Sequence, residues 1–370
     1  MDKQTALYPY HQANAKSMGE FAGYTMPFYY EAGVLAEHKA VRENAGLFDV
    51  SHMGQIALKG EGVINFIETI TPSAFDKAAL GMAKYTVLTN EAGGIVDDLI
   101  ITKLADDHCF AVINAGCKEK DIAWIESHLP EGITLTCYDE RALIALQGPK
   151  AEEILSKALG EDLSTLGYMR MTHYGDVWVS RLGYTGEDGF EISVLEKEAL
   201  PLWNRLIDEY GVVPCGLAAR DSLRLEMGYP LYGHDIDATT SPIEADLSWV
   251  VRKRDADYIG GEVVAAHVEK GVSRKRVALA LIDKGIAREG VKILNADGAE
   301  IGALTSGGHS PSLNKAIAMG YVLSEYSAAD TEVFLDVRGR KLKAVIAKLP
   351  FVEAKTKSAK TATNNTGKAA

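Results

Sequence analysis

The stretch Tyr85-Thr-Val-Leu-Thr-Asn-Glu-Ala-Gly-Gly-Ile-Val-Asp-Asp-Leu-Ile-Ile-Thr102 reads as two β-strands and the turn between them. Tyr85 to Leu88 and Ile95 to Ile101 are rich in β-branched and aromatic residues, which pack well on a pleated surface. Asn90 to Gly94 supplies the turn, because Asn and Gly tolerate positive φ where other residues strain. Asp97-Asp98 does not fit a plain strand: Asp is a poor strand former, and two carboxylates in an apolar run require a reason. Strand side chains alternate, so the two point to opposite faces. Either one sits in water while the other enters a pocket walled by Val96, Ile100 and Tyr85, or both lie at a wet strand edge as solubility devices.

Upstream, a Pro- and Tyr-bearing segment leads to a helix from about Val34 to Glu43 and then to Ala45-Gly-Leu-Phe-Asp-Val-Ser-His-Met-Gly54. Asp49, Ser51 and His52 lie close together, but no nucleophile-elbow pattern surrounds Ser51, and triad members normally converge from separated positions. Local hydrogen bonding in a tight connection is the better reading. Met53 is a pliable pocket wall or core. Val63, Phe66, Ile67 and Ile70 share one helical face. Downstream come a strand from Cys109 to Asn114, a helix over 118–129, a strand from Ala142 to Leu146 and a helix over 150–159. Strands and helices mixed in this order imply an α+β region with antiparallel sheets.

A second hairpin, Trp178 to Val194, turns at Thr185 to Gly189. Phe190, Ile192 and Val194 share a face, which puts Glu191 on the other, as a surface carboxylate or a site residue. In Cys215-Gly-Leu-Ala-Ala-Arg220-Asp-Ser-Leu-Arg224-Leu-Glu-Met-Gly228, helical spacing sets Arg220 beside Leu217, Leu223, Arg224 and Met227. A guanidinium on a largely apolar face is costly without an acceptor. Glu191 or a ligand carboxylate or ring carbonyl can serve; equally, an Arg tied to Asp221 or Glu226 inside the fold, or Arg224 as the buried one, satisfies the pattern.

From Ser273 the texture changes to short strands (276–281, 301–305, 316–322, 332–337 and 342–346), with turns at Asp297-Gly298 and Arg338-Gly-Arg340. Such spacing fits a small antiparallel barrel. The organisation expected is therefore residues 1–268 as the mixed α+β region, 273–352 as the barrel and a polar, low-complexity end, 353–370, as a disordered tail.

With 370 residues the chain can bury a large core in more than one domain. A net charge of -12 argues against general nucleic-acid binding, which needs a basic surface, but leaves room for a small anionic ligand held by one or two local cations. Cys109, Cys117, Cys137 and Cys215 show no metal-ligand spacing and read as reduced thiols. The start lacks a signal core and no apolar run approaches membrane-spanning length, so a cytoplasmic location without membrane contact is expected.

Taken together, 46–53, 93–99, 183–191 and 216–226, with Thr305 to Leu313 and Ile317 to Val322, resemble the glycine cleavage system T-protein (aminomethyltransferase) family. The likeness runs from about Leu7 to Val352, and its specificity lies in the ordered combination of motifs. It implies a cloverleaf of three subdomains around a central folate cavity, the first two interleaved within the folate-binding aminomethyltransferase region, residues 1–268. It also implies transfer of a one-carbon unit from the aminomethyl-dihydrolipoyl arm of a partner H-protein to tetrahydrofolate, releasing ammonia. Carried over by position, the family's catalytic carboxylate falls on Asp98. Met53, Tyr85, Asn114, Tyr184, Glu191 and Arg220 fall at folate-contacting positions, Glu191 as acceptor for the pterin ring's donors and Arg220 as donor to the ring region. No metal is called for, since the histidines lack ligand spacing. The alternatives are a related folate-dependent demethylase and a non-catalytic folate-binding assembly factor of the same fold.

Overall fold

Strand alternation and turn chemistry place the Tyr85 hairpin in the middle of a sheet. In the computed structural model, which describes residues 2–252 and 257–357, it comprises Met82–Thr89 and Ile95–Ala105, paired Tyr85 to Ile100 and Val87 to Asp98. The ladder shifts register between Leu88 and Thr89, a bulge that ends pairing at the turn. This hairpin belongs to an eleven-stranded sheet. From one edge the strands run Val213–Pro214, Gly46–Asp49, Arg141–Gln147, Gly189–Leu195, Val177–Arg181 and Arg170–Tyr174. The order continues through Met82–Thr89, Ile95–Ala105, His108–Ile113, Gly54–Lys59 and Thr134–Cys137. All neighbours are antiparallel except Val213–Pro214 on Gly46–Asp49. The chain lays one strand in the first half, crosses at Val50 to Met53 to build the second, and returns at Arg141. In the strand ladder the halves meet at Arg170 opposite Met82, and hydrogen bonds from Gln55 Nε2 to Arg141 O and from Ser193 Oγ to Gln55 Oε1 also cross between them.

Each half packs its own helices. In one, Leu47, Ile144, Leu146, Phe190 and Ile192 meet Trp203 and Leu206 of the Glu196–Asp208 helix and Leu155 of Ala151–Leu159. In the other, Ile56, Leu88, Leu99 and Ile113 meet Phe66, Ile67 and Ile70 of Val63–Ile70, the face that its spacing predicts. A third core, with Leu279, Ile293, Val333 and Leu335, fills a closed barrel ordered Arg274–Leu281, Lys315–Leu323, Glu300–Ser310, Lys292–Leu294, Glu332–Val337 and Arg340–Ala347. Lys292–Leu294 is too short to register as a strand by spacing. The architecture is the expected α+β arrangement of antiparallel sheets with a C-terminal antiparallel barrel.

Two local features depart from the sequence reading. Ala15–Phe21 and Tyr24–Tyr30 form a separate hairpin, turned at Ala22 and Gly23, both with positive φ. Gly23 suits such a turn but Ala22 is a poor marker for its first position, so the signal is half of the usual Asn-Gly or Asp-Gly pair. Glu353 to Lys357, expected as the start of a disordered tail, are instead held against the sheet. Lys355 N donates to Gly186 O at 2.7 Å and Tyr168 N to Lys357 O at 2.8 Å, while Lys355 Nζ pairs with Glu187 at 3.4 Å. Residues 358–370 lie outside the described residues.

The Leu217–Met227 helix joins barrel to sheet. Its Glu226, fully buried, accepts from Ser310 Oγ at 2.6 Å and Ser312 N at 3.0 Å on the barrel side, and from Arg42 Nη2 at 2.7 Å on the Val34–Glu43 helix. Burial alone would raise this carboxyl, but hydrogen bonds from His38, Ser310 and Arg42 hold it down at about 2.

Candidate active site

Sheet, helix and barrel meet around a cavity of about 1560 Å³. That exceeds the roughly 300–1,000 Å³ of a usual small-molecule pocket. Met53, Tyr85, Asp98, Asn114, Tyr184, Glu191 and Arg220 all line it. The central position of the hairpin explains why: Asp98 lies opposite Val87 with its side chain on the cavity face, half-buried. Tyr85 Oη donates to Asp98 Oδ2 at 3.0 Å and Asn114 Nδ2 to Oδ1 at 2.8 Å. Asn114 sits where His108–Ile113 ends, so its amide reaches back across the sheet to both aspartates. Burial, and then the charge of Asp97, push the Asp98 carboxyl up to about 7.

Alternation sends Asp97 the other way, but not into water. It is fully buried, and accepts from Asn114 Nδ2 at 3.0 Å. Neither a wet edge nor one solvated carboxylate describes the pair. Ile100 and Tyr85 do line the cavity, whereas Val96 joins the apolar core.

The helix resolves the two arginines. Arg224 is the paired one, donating from Nε to Asp221 at 2.8 Å, from Nη1 to Asp235 at 2.7 Å and from Nη2 to Ser306 Oγ at 2.9 Å. Arg220 lies one turn earlier over the Tyr184 ring, 4.9 Å from its centroid. Its Nη1 is buried and meets no acceptor. Burial lowers its affinity for the proton, opposed by the charge of Glu191. Glu191 occupies a central strand, opposite Ala145 on one side and Ser180 on the other. Burial raises its carboxyl and Arg220 counters that. Tyr184 is fixed by donating to Pro230 O at 2.5 Å. At Gly186 φ is 77°, and a Cβ there would meet Met227 Sδ at 2.2 Å, so glycine lets the hairpin turn close on the helix.

Other cavity residues escape the sequence reading. Trp249 stacks on Tyr85 with centroids 5.3 Å apart, yet its own surface is 53% exposed. A lone Trp in the irregular run Pro242 to Val251 was the available signal, since nothing in that run is periodic. His52 also lines the cavity, edge-on to Phe21. Its Nδ1 has no partner, and burial drives the ring down to about 4, so it is neutral at pH 7. Arg252 and Arg288, both exposed, add positive charge to the lining.

Among the described residues no helix is long and apolar enough to cross a membrane. Residues 7–255 match the family model described as GCVT N-terminal domain, and 274–353 that of the glycine cleavage T-protein C-terminal barrel domain. An aminomethyltransferase of Chloroherpeton thalassium is 43% identical over 362 residues, which are 95% of this chain and 99% of that relative. A mitochondrial aminomethyltransferase of Mesembryanthemum crystallinum is 43% identical over 370 residues, covering 95% and 90% respectively. The crystal structure of glycine cleavage system aminomethyltransferase T from Bartonella henselae matches with a TM-score of 0.93 at 39% identity, over 97% of this chain and 100% of that one. The two motif-bearing regions, read with the cavity they enclose, establish that this chain belongs to the glycine cleavage T-protein family.

Proposed function

We propose that the protein is a tetrahydrofolate-dependent aminomethyltransferase of the glycine cleavage system. It takes the one-carbon unit from the aminomethyl-dihydrolipoyl arm of H-protein, transfers it to tetrahydrofolate and releases ammonia. The observation that carries this reading is the convergence of Asp98, Glu191 and the unpaired Arg220 on one cavity. Glu191 accepts from the amino and NH groups of a pterin ring, and Arg220 donates to the ring region beside Tyr184. A cavity of about 1560 Å³ has room for a folate together with the end of a carrier arm. The exposed Arg252 and Arg288 suit acidic groups, whether on the folate tail or on the carrier, despite the net charge of -12.

Positive character develops on the transferred carbon as its bond to the departing nitrogen breaks. Asp98, fixed by Tyr85 and Asn114, provides a negative charge in a partly apolar wall, where it acts more strongly than in water. The same fixed carboxylate orients the attacking folate nitrogen. None of these steps draws on a metal. The reaction is placed in the cytoplasm, with lipoylated H-protein as macromolecular partner and no role for nucleic acid or membrane. The test is formation of ammonia and methylenetetrahydrofolate from aminomethylated H-protein plus tetrahydrofolate. Turnover with simple methyl donors but not with H-protein would replace this reading with a folate-dependent demethylase.

A further inference from the structure

Behind Asp98 lies a second cluster, two carboxyls and a thiol, that the transfer chemistry does not use; of its members Cys117 also reaches the cavity lining. Asp97, Cys117 and Asp121 bring their ligand atoms within 4.8 Å of one another, and all three are buried. Asp121 belongs to the Lys118–His128 helix and is 0% exposed, yet neither of its carboxyl oxygens meets an N–H or O–H donor. Lys120 Nζ is 3.6 Å away, beyond hydrogen-bond reach, and is drawn to Val96 O and the Tyr232 ring. An ionised Asp121 would face a second buried carboxylate with only the Lys120 ammonium at 3.6 Å to offset it and no hydrogen bond to either oxygen, which is costly in an apolar interior. Asp97, by contrast, is rich in donors, accepting from Asn114 N at 3.3 Å and Nδ2 at 3.0 Å.

We propose that Asp121 stays protonated at neutral pH and donates its proton to Asp97, so that the layer behind Asp98 carries one negative charge rather than two. Asp97 and Asp121 are then positioning residues, and Asn114 is the physical link, since its amide nitrogen touches both Asp97 Oδ1 and Asp98 Oδ1. The groups facing the pair are Lys120, the Cys117 thiol and the Tyr232 hydroxyl; those facing Asp98 are Asp97, Tyr85, Asn114 and Tyr184. Burial and the neighbouring Asp97 raise the Asp121 carboxyl to about 10, in accord with the geometry. Two carboxyls and a thiol this close also resemble a cation cradle. Here Lys120 already stands beside Asp121, and Asn114 aims two N–H groups at Asp97, so a proton suffices.

The proposal rests on Asp98 acting in its ionised form, and its test separates the two. Infrared difference spectra of the full chain at pH 7, wild type against Asp121→Asn, should show a protonated-carboxyl C=O band that the variant loses and Asp98→Asn retains. Carboxyl NMR of the aspartate-labelled wild type gives the same reading should the variant not fold. Absence of that band, or a stoichiometric divalent metal in the wild type lost from Asp121→Asn, would overturn the proposal. In aminomethyl transfer, Asp121→Asn should leave the acid limb of the pH profile within about 0.3 unit, because a neutral donor replaces a neutral donor. Asp97→Asn should move that limb down by about one unit or more, because it removes the adjacent charge. A limb unmoved by Asp97→Asn with the band intact would reject Asp98 as the titrating group, leaving the proton on Asp121.

Discussion

Asp98→Asn separates the chemistry of the carboxylate from its effect on stability, since both follow from one raised ionisation. The carboxyl moves from 3.8 to about 7 on folding, because of burial and then the Asp97 charge. Below the lower value the folded and unfolded states are both protonated, and the variant differs little from the parent. As pH climbs through the higher one, the parent must ionise a group inside the cavity wall, and it loses stability that the amide keeps. At about 1.36 kcal/mol per pKa unit the full shift corresponds to roughly 4 kcal/mol. Asp98 is only half-buried, so cavity water screens it, and about 2 kcal/mol is the expected gain. The hydrogen bonds survive the change: Asn114 still donates to the remaining carbonyl oxygen, and Tyr85 Oη turns from donor to acceptor of the new amide N–H. Urea titrations of both proteins between about pH 4 and about pH 8.5 measure the difference. It should be small at the acid end and reach about 2 kcal/mol in favour of the variant at the alkaline end, while transfer activity falls at least about 100-fold. A variant no more stable than its parent at alkaline pH, or a gap that does not widen with pH, would refute the buried, charge-raised carboxylate. Near wild-type turnover would refute its role in transfer.

Arg220→Met should weaken tetrahydrofolate binding by about 10- to 100-fold, as expected for loss of a charged hydrogen bond, while urea stability rises or stays level because a buried Nη1 without an acceptor is removed. Equilibrium binding and unfolding on the same preparations check both halves. Trp249→Ala removes the ring stacked on Tyr85 and should cost about 1 kcal/mol of folate affinity, with loss of any fluorescence quenching on binding. Glu226→Gln should destabilise the fold by about 3 kcal/mol at neutral pH, from a carboxyl held near 2 against its ordinary 4.5. Because this value is lowered, the stabilisation is present above 4.5 and drains away as pH falls towards 2, so the gap between variant and parent should narrow on acidification.

What the sequence discloses follows the range of the forces involved. The Val63–Ile70 face, the Glu191 alternation and the barrel strands are set by local periodicity and burial, and they are legible from spacing alone. Asp97 shows where that ends. Alternation puts it opposite Asp98, but whether the opposite face is water or protein depends on the Lys118–His128 helix, which arrives from twenty residues further along the chain and covers it. The Ala22-Gly23 turn fails for another reason: only Gly23 accepts positive φ readily, while Ala22 is held there by the pairing of Phe21 with Tyr24. Trp249 is invisible because its contact with Tyr85 joins an irregular run beyond the last sheet strand to the central hairpin and has no local period.

The two arginines show how a site is made by what its neighbours have already taken. Arg220 and Arg224 sit one helical turn apart, and the sequence cannot divide their roles. The division is made by acceptors. Asp221, Asp235 and Ser306 converge on Arg224, and Glu226 is filled by Arg42, His38 and two barrel serines. Arg220 is left with Glu191 across the cavity, to which it is coupled by charge and not by a hydrogen bond among the described contacts. Arg220 Nη1 is buried without an acceptor and the Glu191 carboxyl is raised by burial, so a ligand offering both an acceptor and a donor would relieve both costs. The interlocked polar groups around Arg224 and Glu226 are what keep the fold from supplying an acceptor to the buried Arg220 Nη1.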